Sequence, residues 1–462
     1  MYDIINMEFF IKDGCILRIL ILSASTGGGH MRTSAAMKKY IEANRPNDVV
    51  RVVDTLEEVG HLYNKTVSEG YEMMAKTAPG FYGAVYNGTN KDRKMTTLAA
   101  KVQKLLAIKL LPLMIEFRPD VLICVHAFCV DMASALKIKY KMNIPVISLI
   151  TDFAPHILYV QEGVDKYVVS NEEMVTALEK FGVDRSDVQV SGIPIDPVFY
   201  NKHSKKELMK IMGLNPNLQT VLLMAGSFGV RDIFKIYRDI AETDTDFQMV
   251  VVTGRNKRLF DEFDAMLDKT YEENDETLKS GKYEEYGDDS FAEDDTITEN
   301  RESNKVYAGR NGIKPTKLLY FVDNINEYMY IADLIVTKPG GLTVSEAIAS
   351  TLPMAIFKAY PGQEEDNAVY LERNNMAVRL PKKNSGKVVH DLLLNPKKLN
   401  EMKKACQSNY RENSAGRIIE LAETLVKEYA SKDKWASGDT EEMYNQLKEN
   451  IDTENLENND EE

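Results

Sequence analysis

Short runs of branched apolar residues, each followed by a stretch with helical spacing, recur along this chain. The first, LRILILSAS (residues 17–25), breaks into Thr26-Gly27-Gly28-Gly29-His30 and continues as MRTSAAMKKYIEA. A strand, a glycine turn and a helix in that order open a mononucleotide-binding α/β unit. Further runs predict strands at 49–57, 121–128, 144–152 and 166–170, with helices between them at 132–141 and 172–181. Runs that are apolar throughout belong to parallel sheets covered on both faces. The pattern restarts beyond Gly192-Ile193-Pro194-Ile195, with strands predicted at 220–229, 247–256, 317–323, 334–341 and 353–360. The expectation is an α/β chain with an extension at 1–16 and two Rossmann-like domains at 17–200 and 201–430.

Two stretches interrupt the pattern and change the picture of charge. Residues 271–304 hold 13 Asp/Glu against 3 Lys/Arg, and residues 437–462 hold 10 against 1. Both have too little apolar surface to bury, so a solvated insertion and a solvated tail are expected. An electrostatic brake on membrane binding is the other reading of these segments. The formal net charge is −14, yet outside the two stretches 53 basic residues face 48 acidic ones. A body near +5 tolerates phosphates and anionic lipid, which a uniformly acidic surface would repel. Residues 60–115 add Tyr63, Tyr71, Phe81, Tyr82 and Tyr86 with Lys101, Lys104 and Lys109. Aromatics interleaved with lysines suit an interfacial or acceptor-binding surface, and equally a helical cap on the sheet.

Four cysteines without a CxxC point to a reduced, cytosolic setting and argue against a disulfide framework or a metal site. No run of 18 apolar residues occurs, so a soluble or peripheral protein is expected. No nucleic-acid partner is expected.

The candidate chemistry sits where strands become helices. Gly28 and Gly29 let a ligand approach the backbone at a helix start, whose N–H groups favour negative charge. The turn is neither a P-loop nor GxGxxG. His30 in that turn is the natural general base, since imidazole titrates near neutral pH, although a helix-capping histidine reads the same way. Gly226-Ser227-Phe228-Gly229 repeats the device in the second domain as a diphosphate cradle, and Gly254 and Asn256 line the end of the next strand. The most informative segment is Thr337-Lys338-Pro339-Gly340-Gly341-Leu342-Thr343-Val344-Ser345-Glu346. It builds another anion site, with Thr343 in the helix start and Glu346 able to accept two ribose hydroxyls or simply to favour the helix dipole. Gln363, Glu364 and Asn367 follow on what reads as a loop, and amide and carboxylate side chains there suit a polyhydroxylated sugar.

At these residues the chain resembles the monogalactosyl- and glucosyl-diacylglycerol synthase family, inverting glycosyltransferases of GT-B fold. They are related to the N-acetylglucosaminyltransferase that completes the peptidoglycan lipid intermediate. The resemblance covers residues 17–430 through ordered blocks: LILSASTGGGH, LITDFAPHILYV, VDKYVVSNE, VSGIPIDPVF, MAGSFG, TKPGGLTVSEA and PGQEEDNA. It implies two Rossmann-like domains facing a central cleft, UDP-glucose or UDP-galactose as donor, no cofactor and no metal. Diacylglycerol or a glycosyl-diacylglycerol would be the acceptor, at an anionic membrane surface on the cytoplasmic face. His30 would deprotonate or position the acceptor hydroxyl, with Asp152 and His156 on the acceptor side. Phe321 and Val322 would meet the uracil; Gly226, Ser227 and the Pro339–Gly341 turn the diphosphate; Glu346 the ribose; Gln363 and Glu364 the hexose. The acidic insertion is a departure, because close relatives need only a short connection there. Another lipid acceptor, a UDP-sugar 2-epimerase of the same fold, or a non-catalytic binding protein are the competing readings.

Overall fold

The computed structural model describes residues 16–26, 28–59, 107–201, 204–224, 232–269, 304–308, 314–357 and 359–431, with residues 445 and 449. Outside these lie Gly226 and Ser227, most of the 60–115 region, and nearly all of the acidic insertion and tail. The chain forms two compact units, one of residues 1–197 and 411–462, the other of residues 198–410.

The first unit is a parallel sheet in the order β2-β1-β3-β4-β5-β6, from β1 (Arg18–Ser23), β2 (Val49–Asp54), β3 (Val121–Cys124), β4 (Val146–Leu149), β5 (Lys166–Val169) and β6 (Val188–Val190). Its helices are α1 (Gly29–Asn44), α2 (Thr55–Val59), α3 (Leu111–Phe117), α4 (Ala127–Lys139) and α5 (Glu172–Lys180). Consecutive β1 side chains enter opposite cores. Leu17, Ile19 and Ile21 pack with Met37 and Ile41 of α1, while Leu20 and Leu22 join Met132 and Leu136 of α4. Every one of these is fully buried or nearly so, which is why the runs are apolar throughout. The strands end earlier than expected, two of them because a side chain starts the following helix. The Asp54 carboxylate accepts from the Leu56 N–H at 3.0 Å and starts α2, and the His126 ring caps α4 through the Phe128 N–H at 3.1 Å.

The second unit orders its strands β13-β12-β11-β7-β8-β10-β9. They are β7 (Gln219–Met224), β8 (Phe247–Val252), β9 (Asn304–Tyr307), β10 (Thr316–Leu319), β11 (Leu334–Thr337), β12 (Met354–Ile356) and β13 (Ala377–Arg379), parallel except for the β9–β10 pair. The helices are α6 (Lys205–Ile211), α7 (Asp232–Ala241), α8 (Lys257–Lys269), α9 (Ile325–Ile331), α10 (Gly341–Ala349), α11 (Gln363–Arg373), α12 (Ser385–Leu393) and α13 (Pro396–Asn409). Tyr237, Phe247, Phe263 and Phe357 are the largest fully buried side chains of its core. Helices α7 and α12 touch backbone to backbone, since a Cβ on Gly386 would fall 1.7 Å from the Asp239 carbonyl oxygen.

One boundary differs from the sequence expectation. The second domain was expected to run to residue 430, but the compact unit ends at Tyr410 and the chain returns to the first unit. The returning helix, α14 (Ser414–Ser431), carries Ile418, Ile419, Ala422 and Leu425 on one stripe. All four are buried in the cluster that holds Leu17, Ile19 and Ile21. Tyr429 accepts a hydrogen bond from Lys137 Nζ at 2.9 Å and donates to the Asp165 carboxylate. No described helix is long and apolar enough to cross a membrane.

Candidate functional site

In open parallel sheets ligands bind beyond the carboxyl ends of the strands, where the strand order reverses. In the first unit the reversal lies between β1 and β3, and in the second between β7 and β11. Those two points gather most of the residues singled out from the sequence.

At the first reversal Gly28 is the N-cap of α1, with φ 76° and ψ −19°, a left-handed conformation that a side chain would strain. His30 therefore does not cap the helix, as one sequence reading held. It is the second helical residue, and its Nδ1 lies 3.1 Å from the Val125 carbonyl at the end of β3 and 2.9 Å from Thr151 Oγ1 beyond β4. A carbonyl only accepts, so Nδ1 carries the proton and the lone pair of the neutral ring is on Nε2. Burial lowers the His30 pKa to about 4, against a smaller upward pull from the Val125 hydrogen bond. The ring is thus neutral at physiological pH, with an unprotonated nitrogen able to take a proton.

His126 follows β3 at the same reversal. Its ring stands edge-to-face on that of His30, centroids 4.7 Å apart and planes at 85°. Burial first, and the charge of a protonated His30 second, hold its pKa well below the usual histidine value. His126 was not singled out from the sequence, although a histidine one position past the buried run VLICV was the available signal. Of the expected acceptor-side residues, His156 is buried and its Nδ1 accepts from the Leu158 N–H at 3.2 Å. Asp152 is half-buried, and its carbonyl accepts from Ser170 Oγ at 2.9 Å. The Asn171 amide holds the neighbouring Phe153 carbonyl at 3.1 Å, so the segment after β4 is held at its carbonyls by the side chains of Ser170 and Asn171.

At the second reversal β11 runs through Lys338-Pro339-Gly340 into α10. Glycine at the N-cap (Gly340) offers no side-chain acceptor to the first N–H groups of α10, which begins at Gly341. Asn367, fully buried, donates its amide to the Pro339 carbonyl at 3.0 Å and pins the turn. Its amide nitrogen thus serves the protein backbone. Thr343 lies in the first turn of α10 and Glu346 one turn on, where Glu346 is 2% exposed, a core position and not a surface charge. The stretch 363–367 is not a loop but the start of α11. Glu364, Glu365 and Asp366 fall in its first turn, where acids favour the helix dipole, and the Glu364 carboxylate accepts from the Tyr360 N–H at 2.9 Å. Burial raises the Glu364 carboxyl above the ordinary range, while Lys338 and the Tyr360 N–H oppose that shift. The Lys338 ammonium sits 4.3 Å from the Tyr360 ring centre.

Beyond β10, Phe321 is 40% exposed and Val322 half-buried. One face of Phe321 is covered by the Arg255 guanidinium, 4.9 Å from the ring centre. Gly254, just past β8, has φ 69°. Asn256 is taken up locally, its Oδ1 accepting from the Leu259 N–H of α8 at 2.8 Å. Gly226 and Ser227 fall between β7 and α7, outside the described residues.

Comparison with known proteins matches residues 30–195 to the monogalactosyldiacylglycerol (MGDG) synthase family and residues 285–418 to the glycosyltransferase family 28 C-terminal domain. A processive diacylglycerol beta-glucosyltransferase of Bacillus licheniformis is 28% identical over 406 residues, 87% of this chain and 93% of the relative. One from Bacillus subtilis (strain 168) is 28% identical over 408 residues, covering 87% and 94%. Among solved structures, a UDP co-structure of S. aureus MnaA has a TM-score of 0.54 at 12% identity, covering 88% of this chain and 96% of that one. Acinetobacter baumannii MurG has a TM-score of 0.52 at 12% identity, covering 88% and 99%. The two structures share the fold, two α/β units with parallel sheets. The first matched region begins at His30, at the strand reversal of the first unit, the second takes in β11 and the Pro339–Gly341 turn, and the relatives align over most of the chain. The chain thus has the GT-B fold, and it is similar to the monogalactosyldiacylglycerol synthases over residues 30–195 and, over most of its length, to processive diacylglycerol beta-glucosyltransferases.

Proposed function

We propose that this enzyme moves a hexose from a UDP-sugar to the free hydroxyl of diacylglycerol, or to a sugar hydroxyl of a glycosyl-diacylglycerol, with inversion. The observation that carries the assignment of the base is His30: neutral, tied through Nδ1 to the Val125 carbonyl, and presenting Nε2 at the strand reversal of the first unit. Nε2 takes the proton of the acceptor hydroxyl as its oxygen bonds to the anomeric carbon. The bond from that carbon to the UDP oxygen breaks, and its electron pair leaves with UDP. The leaving diphosphate is received by the N–H groups at the start of α10, beside the Pro339–Gly341 turn, Gly226 and Ser227, without a metal or an organic cofactor. Phe321 and Val322 take the uracil, Glu346 the ribose, and Gln363 and Glu364 the hexose.

Glucose is the sugar favoured by the names of the relatives, and UDP-galactose is the second donor to test. The enzyme acts as a peripheral protein on the cytoplasmic face of an anionic membrane, drawn there by a body near +5 outside the acidic stretches. The test is UDP release from UDP-glucose, UDP-galactose or UDP-N-acetylglucosamine, with and without diacylglycerol in the vesicles. Release that requires diacylglycerol and yields a glycolipid is expected. His30→Ala should lose at least about a hundredfold in turnover, the usual weight of a general base, while still binding UDP. Full turnover by that variant would remove His30 from the mechanism.

A further inference from the structure

The His30–His126 pair carries more information than either ring alone. The Nδ1 of His126 accepts from the Phe128 N–H, a group that can only donate, at 3.1 Å. Its neutral ring therefore holds the proton on Nε2, the opposite tautomer to His30. Edge-to-face contact at 4.7 Å prevents both rings from being charged together. The two thus form a fixed pair at one strand reversal, with an acceptor on His30 Nε2 and a donor on His126 Nε2.

A hydroxyl that is to lose its proton needs both. One partner receives the proton, and the other donates to an oxygen lone pair and turns the O–H bond toward the base. We propose that His126 is a second catalytic residue of the acceptor site: its Nε2–H donates to the acceptor oxygen while His30 Nε2 removes the proton. In the step, the oxygen gains the bond to the anomeric carbon, the UDP oxygen keeps the electrons of the broken bond, and the proton rests on His30 until it passes to water. The growing positive charge on His30 faces a neighbour that stays neutral, so no like charge opposes it. This assignment rests on the reading of His30 as the base.

Substitution can separate the helix cap from the donor. His126→Asn keeps a side-chain acceptor in reach of the Phe128 N–H, as asparagine is a strong N-cap, but leaves nothing at Nε2. His126→Gln reaches the Nε2 position with an amide N–H and weakens the cap. The full-length variants would be assayed with UDP-glucose and dioleoylglycerol in phosphatidylcholine vesicles, alongside His30→Ala and UDP binding by calorimetry. His126→Asn is expected to lose 10- to 100-fold in kcat/KM for the lipid, the effect of one positioned donor, with its UDP affinity and unfolding midpoint unchanged. His126→Gln is expected to recover part of that loss although it is the less stable protein. Native kinetics in His126→Asn would overturn the proposal and leave His126 as a cap alone. Native turnover in His30→Ala would instead move the acceptor site elsewhere and take the His126 assignment with it.

Discussion

Replacing Asn367 by aspartate changes almost no volume and tests what the Pro339–Gly341 turn is for. The native amide donates to the Pro339 carbonyl at 3.0 Å with no exposed surface. An ionised carboxylate cannot donate, and it leaves that carbonyl without its partner in the core, a loss of roughly 1–3 kcal/mol before any repulsion. The alternative is a carboxyl that stays protonated and donates in place of the amide, at a cost of about 4 kcal/mol at pH 7 for a group that ordinarily titrates near 3.9. The cheaper route sets the outcome, about 2–4 kcal/mol lost at pH 7. The new carboxyl would titrate higher in the folded state than in the unfolded one, so the folded variant binds more protons and its deficit shrinks as the pH falls. In a unit of this size each kcal/mol lowers the midpoint by about 2–4 °C, so the second unit should melt about 5–12 °C lower at pH 7 and recover part of this at pH 5. Displacing the turn also moves the first N–H groups of α10, and UDP should bind about tenfold or more weakly. Calorimetric UDP titration of the folded variant, beside thermal unfolding at the two pH values, decides the matter. A UDP affinity within twofold of native, in a protein that has lost the expected stability, would refute the turn as the diphosphate site.

Three further outcomes are expected. With His30 titrating at about 4, kcat/KM for the acceptor should stay flat from pH 7 to 6 and fall only toward pH 4; an acid limb at 6.5 would show a ring that is not desolvated. Between pH 6.5 and 4 the unfolded chain binds the extra proton, so stability should decline across that window as pH drops, by about 3 kcal/mol from this one ring, measurable by urea unfolding. Ile418→Ala empties a fully buried site on α14 and should cost about 3 kcal/mol, with hydrogen-exchange protection lost in β1 and β3; loss confined to β7 and β8 would contradict the assignment of α14 to the first unit. Gly386→Ala must push α12 away from the Asp239 carbonyl, lowering the stability of the second unit by about 1–3 kcal/mol, and an unchanged melting midpoint would rule out that close contact.

Much of the scaffold was legible because both-face burial leaves a mark that does not depend on context. The β1 run has Leu17, Ile19 and Ile21 in one core and Leu20 and Leu22 in the other, so nothing polar interrupts it except the edge residue Arg18. Features set by partners distant in sequence were not legible. Helix α14 looks from its sequence like a continuation of the second domain, because a stripe of Ile418, Ile419, Ala422 and Leu425 says that a face is buried but not against which sheet. The start of α11 was hidden for a different reason: Gln363-Glu364-Glu365-Asp366 has the composition of a solvated loop, and acids at a helix start are favoured by the dipole and by the contact of Glu364 with the Tyr360 N–H. The candidate site shows the same division. His30 and the Pro339–Gly341 turn announce themselves as glycine-marked strand-to-helix junctions, whereas His126, which follows its strand without a glycine turn, is tied to His30 only when the strand order places β3 beside β1.

The return of the chain to its first unit also fixes an order of events during synthesis. Residues 198–410 are made as one continuous stretch and can close their own core as soon as they emerge, although they come second. The first unit cannot finish. The face of its sheet bearing Ile19, Ile21, Val121 and Ile123 waits for Ile418 and Leu425, the last of its packing residues to leave the ribosome. At about 5–20 residues per second the whole second unit takes some tens of seconds to synthesise. For that interval an apolar sheet face lacks its cover, and it is there that a nascent chain of this enzyme would need a chaperone.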